Sequence, residues 1–197
     1  MNLAFLVFPA VILLVITSTG LLISRSWRAS IGLLALQYVG VFILVYQSWP
    51  VEMAMVKLIA GWISAAVIGL MVSSTRAVFE ADEVWPAGRL FRLFMVLLVI
   101  IAVWSVIPQA MSWLPGISPS QMAGGLILIS MGILHLSLIT LPLRVILGLF
   151  TFLAGFEILY AAVESSILVA GLLSGITLTL ALIGAYLLSV QPVEEEV

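Results

Sequence analysis

Cysteine is absent from this 197-residue chain, which excludes disulfides, thiolate metal ligation and thiol catalysis. Charge is scarce as well. Only 8% of the residues are Asp, Glu, Lys or Arg, against roughly 25% in a soluble domain. Such a chain cannot cover itself with a polar surface. The net charge of −2 gives no reason to expect nucleic acid as a partner. No stretch resembles a nucleotide loop, a metal cluster, a nucleophilic triad or a quinone-site signature. The expectation is therefore a chain with no cofactor, no metal and no catalytic residue of its own.

Apolar residues fill the space that charge leaves. They make up 64% of the chain, and the mean hydropathy is +1.34. Each crossing of a bilayer needs about 20 such residues, which leaves room for roughly six to eight crossings. The runs predict an all-α integral membrane protein with seven transmembrane helices, over approximately Leu3–Ser24, Ala29–Gln47, Met53–Val72, Leu90–Ala110, Met122–Leu141, Val145–Val163 and Ile167–Leu188. The first run has no basic region before it and is too long for a typical signal peptide, so it reads as a retained helix. The breaks are RSWR, SWPVE, the acidic connection Ser73–Arg89 with Glu80, Asp82 and Glu83, the proline-bearing MSWLPGISPSQ, and LPLR. Trp27, Trp49, Trp85 and Trp113 fall at predicted span ends, where indole favours the headgroup layer.

Orientation follows from arginine. Arg25, Arg28, Arg76, Arg89, Arg92 and Arg144 all fall at the first, third and fifth connections, on one side of a seven-helix arrangement. The opposite connections hold no Lys or Arg. Positive residues stay cytoplasmic, which puts the N-terminus outside and the acidic tail inside. The units are then residues 1–72 (three helices), 73–121 (connection, fourth helix, outer loop), 122–190 (three helices) and the tail 191–197. The two triplets form a faint parallel repeat. SRSWRASIGLLALQYVGVFILVYQS lies against TLPLRVILGLFTFLAGFEILYAAVES, with Arg before the helix, Gly one turn in and Tyr near the outer end.

Polar groups inside a span cost about 2.5–3.5 kcal/mol each when ionisable. Four stand out. Glu157 lies 13 residues past Arg144, roughly 20 Å from the cytoplasmic edge, among apolar neighbours. A carboxyl there can exchange a proton, bond a neighbouring helix, or sit in a static ion pair. Lys57, five residues after Glu52, reaches a similar depth. It can pair with Glu157 or snorkel to the outer interface. His135 can relay a proton or simply pack. Gln37 cannot titrate and suits a bond between helices or to water. Small residues at Gly61, Ser64, Ala65 and Ala66, and at Gly171, Ser174 and Gly175, favour close packing within the chain or against a partner.

The segment GLILISMGILHLSLITLPLRVILGLFTFLAGFEILYAAVESS resembles the first two helices of the K subunit of NADH–quinone oxidoreductase and its counterpart in multisubunit cation/proton antiporters. The whole layout is similar to the E component of the hydrogenase-4 type, with SRSWRASIGLLALQYV and MVKLIAGWISAAV in its N-terminal part. On that resemblance Glu157 matches the membrane carboxylate, Lys57 the lysine and Gln37 the glutamine. One departure stands: SGITLTLALIGAYLLSV lacks the second carboxylate that K-type subunits carry in the next helix. The resemblance implies an accessory subunit of a complex-I-like redox-driven or antiporter complex in a bacterial or archaeal cytoplasmic membrane. Other membrane subunits and lipid would be its partners. The rival readings are a structural membrane protein whose polar residues hold helices together, and a self-contained small transporter.

Overall fold

A computed structural model describes residues 6–74, 86–114, 116–138 and 141–190. They form seven helices: α1 Val7–Ile23, α2 Trp27–Val45, α3 Val51–Ser74, α4 Pro86–Trp113, α5 Pro119–Leu138, α6 Pro142–Val163 and α7 Ile167–Ser189. Six are long and apolar enough to cross a membrane, and α1 is shorter, with 17 residues in its described part. The chain is thus an all-helical integral membrane protein. The acidic residues of the third connection, Arg76, Trp85 and the tail 191–197 lie outside the described residues.

Helix starts follow local chemistry. Ser26 caps α2 by accepting a hydrogen bond from the Ala29 amide at 3.3 Å. Prolines open α4, α5 and α6, where a missing N–H costs nothing. This moves the fifth span three residues earlier than expected, because Pro119 begins the helix instead of staying in the turn. The turn itself closes at Gly116, whose φ of 104° suits a residue without Cβ. The fourth span is also longer than predicted at both ends. It carries Arg89 and Arg92 inside its first turns, and it continues past Pro108.

The packing is organised by helix pairs. Neighbours in sequence pack together except α3 and α4, and α5 packs on α6 most extensively. In addition α1 packs on α5, α2 on α6 and α3 on α7. Each helix of the first triplet therefore touches the helix that holds the same place in the second. By contrast α4 lies at the edge, against α5 and α1, through Val96 and Val103. Most of its large apolar side chains are exposed, as lipid-facing groups are.

Close approach of α5 and α6 depends on glycine. A Cβ on Gly155 would stand 2.6 Å from both the Gly125 carbonyl oxygen and the Ile129 amide nitrogen. One on Gly132 would stand 2.6 Å from the Phe152 amide nitrogen. Both clashes are with backbone. Gly171 and Gly175 instead face open space, and Ala66 is exposed, so these residues pack nothing within the chain.

The two ends of the bundle differ. At one end, the arginines reach across helices. Arg92 donates to the Leu22 carbonyl at 3.2 Å, and Arg144 donates to the Ser24 carbonyl. Both satisfy carbonyls at the C-terminus of α1, where cations are favoured. At the other end the stitching is uncharged. Gln121 donates to the Leu44 carbonyl at 3.0 Å and to Ser48 Oγ at 2.7 Å. Trp49 is buried, not held at the interface, and its indole N–H donates to the Glu164 carbonyl at 2.7 Å.

Candidate functional site

Lys57 lies six residues past the first residue of α3, and Glu157 six before the last residue of α6. At 1.5 Å per residue each is about 9 Å inside the same end of the bundle. Their side chains meet there: Lys57 Nζ is 2.6 Å from Glu157 Oε1, and both residues are 1% exposed. Snorkelling is overturned by this burial. The lysine stem points into the bundle, where a counter-ion is available, and not toward the interface.

A third residue completes the contact. Thr177 of α7 places its hydroxyl 3.0 Å from Glu157 Oε1 and 2.9 Å from the Leu173 carbonyl. A hydroxyl has one proton to donate and two lone pairs. It can therefore donate to a carboxylate, or turn to Leu173 and accept from a protonated carboxyl. Thr177 fits either protonation state of Glu157. Ser64 ties α3 to the same turn of α7 by donating to the Thr177 carbonyl at 3.4 Å.

The second carboxylate oxygen, Glu157 Oε2, is buried and has no hydrogen-bond partner. Tyr38 of α2 lies within electrostatic reach of Glu157, is 1% exposed, and its hydroxyl also lacks a partner. Its ring is seated by Gly61: a Cβ at that position would be 2.2 Å from the ring carbons. The small residue in α3 thus makes room for the aromatic in α2.

The other two candidates are placed differently. Gln37 is fully buried, with neither amide atom hydrogen-bonded, and no hydrogen bond joins it to the ion pair. His135 lies in the last turn of α5, near the arginine end, with Arg144 and Arg92 in electrostatic reach. It packs near Gly148, nine residues from Glu157 on α6, which is roughly 13 Å along the helix. Lys57 and Glu157 form one site; His135 does not belong to it. Among the described residues, no group of three His, Asp or Glu side chains is placed to hold a metal ion.

Sequence reading passed over Thr177 and Tyr38. Thr177 left a signal, a hydroxyl in the apolar run SGITLTLALIG, but hydroxyls in membrane helices usually bond their own backbone. Tyr38 is amphipathic, and nothing in its neighbours distinguishes a site from a core position. Comparison of the chain with models of protein families, with curated proteins and with solved structures finds no match to any of them.

Proposed function

We propose that this chain is an accessory membrane subunit of a complex-I-like redox-driven or antiporter assembly, in which Glu157 exchanges a proton and Lys57 is its electrostatic partner. The observation that carries the reading is the buried Lys57–Glu157 pair at 2.6 Å with Glu157 Oε2 left open. A pair of this kind has two neutral forms, ammonium with carboxylate and amine with carboxylic acid. It passes between them by moving one proton over a single hydrogen bond. Net transport then needs one proton delivered at one side and one released at the other, with Thr177 serving both forms of Glu157.

The resemblance to the K subunit and to hydrogenase-4 component E supports the assembly context. The missing second carboxylate in α7 fits a subunit that supplies part of a path, with the remainder on its neighbours. In this reading the membrane is a bacterial or archaeal cytoplasmic membrane, with the arginine end inside.

A second reading rests on a different observation. Lys57 and Glu157 bridge α3 and α6, which do not pack extensively on each other. The pair can therefore act as a staple alone.

Two experiments test the proposal. Purification in mild detergent is expected to bring down larger membrane subunits in fixed ratio. An isolated chain that transports protons when reconstituted by itself would replace the subunit reading with the small transporter. Orientation is tested by single cysteines, since the chain has none of its own. An impermeant thiol reagent added to intact cells is expected to label a cysteine at Ser118 and spare one at Asp82. The opposite pattern would invert the topology.

A further inference from the structure

A cleft of about 710 Å³ runs between α1 and α4, floored by Leu33 of α2. Its walls are largely apolar, formed by Val15 and Gly20 on one side, with the Thr19 side chain beside them, and Leu93, Val96 and Ile100 on the other. Its lips, Ile16 and Leu97, are exposed. It begins at Ser24 and ends at Val15, nine residues along α1. That is about 14 Å at the helical rise, close to half of the roughly 30 Å hydrocarbon core. The groove has the depth of one leaflet. A partner transmembrane helix would need a face running through both.

The end of the groove is basic. Arg89 stands one turn before Leu93, on the α4 stripe that continues through Val96 and Ile100. It is half-buried, and its Nε has no hydrogen-bond partner. Arg92, held at the Leu22 carbonyl, is beside it, and Arg25 follows the groove residue Ser24. The acidic residues among those described, Glu52, Glu157 and Glu164, lie at the far end or in the interior. Cationic head and apolar channel together have the form of an amphiphile with one negative group.

We propose that this groove binds an anionic phospholipid of the arginine-side leaflet, with an acyl chain between α1 and α4 and its phosphate at Arg89 and Arg92. The site is independent of any proton role for Glu157. It gives α4, otherwise thinly attached, a lipid wedge between itself and α1.

Native mass spectrometry of the detergent-extracted protein, with whatever subunits accompany it, tests this. The protein is loaded with phosphatidylglycerol or with phosphatidylcholine of identical chains. Retention is expected to favour phosphatidylglycerol by about fivefold per participating arginine. Arg89→Gln should remove about one such factor while leaving the exposed apolar contacts in place. Leu97→Trp, at a position 53% exposed, should block both lipids without disturbing the core. Equal retention of the two lipids would overturn the proposal. So would an unchanged preference in Arg89→Gln, the outcome expected if Glu80, Asp82 and Glu83 neutralise the arginines. A photoreactive group at Leu97 that crosslinks a protein segment in intact membranes, and no lipid, would overturn it too.

Discussion

Glu157→Gln and Lys57→Met are each expected to destabilise the protein by about 3–5 kcal/mol, because each leaves one member of a buried ion pair without its partner. The pair sits 1% exposed at both ends, so water cannot take the place of the missing charge. The Lys57→Met/Glu157→Gln double variant removes both charges together. Its stability is expected to return most of the way toward wild type, because a buried pair replaced as a unit is often close to neutral. The resulting interaction energy is expected to be about 5–9 kcal/mol, the sum of the two single costs less the small cost of the double, and above the usual range for residues in contact. Proton movement separates the two functional readings. In membrane vesicles carrying the full assembly, scored against assembly on native gels, coupled proton movement is expected to be lost in both single variants and in the double. If the double variant regains proton movement along with stability, the pair is a staple and the proton reading fails.

The second large effect concerns the α5–α6 contact. Gly132→Ala and Gly155→Ala each drive a methyl group against backbone atoms 2.6 Å away. Backbone cannot rotate out of the way as a side chain can, so the helices must separate. The cost is about 1–3 kcal/mol per site, or more where the backbone must shift. In thermal unfolding of the detergent-solubilised protein, that corresponds to a drop of roughly 2–12 °C per site. Gly171→Ala and Gly175→Ala are the controls, since a Cβ at either meets nothing within 4 Å. They are expected to stay within about 2 °C of wild type. Equal losses at all four positions would show that helix propensity, and not contact between α5 and α6, sets the glycine requirement.

Much of this architecture is legible in the sequence, for a simple reason. A membrane helix is a long apolar run, and its ends are marked by charge, proline and tryptophan. The seven helices appear within a few residues of their expected places. The depth of a residue along its helix is equally legible, since it is a count multiplied by a rise. Counting alone therefore puts Lys57 and Glu157 at one level of the membrane. Rotation about the helix axis is another matter. Helices that are apolar on every side carry little periodic signal, because lipid and protein interior present similar chemistry to a side chain. Hence Gly171 and Gly175 look as much like packing residues as Gly125, Gly132 and Gly155, and only the latter meet another backbone. The same blindness hid Thr177 and Tyr38 from view and left His135, whose level near the arginine end is legible, open between relaying a proton and packing.

The ion pair also joins residues 100 positions apart in the chain. Ribosomes extend chains at about 5–20 residues per second, so roughly 5–20 seconds separate the making of Lys57 from the making of Glu157. During that interval α3 already carries its lysine, while the helix with the counter-charge does not yet exist. Until then a lysine about 9 Å from the end of its helix can only snorkel to the interface, and it turns inward when α6 brings its counter-charge. The bundle therefore closes late. Its N-terminal half remains an unfinished intermediate until α6 arrives, and the birth of this protein has a defined vulnerable window that its finished form conceals.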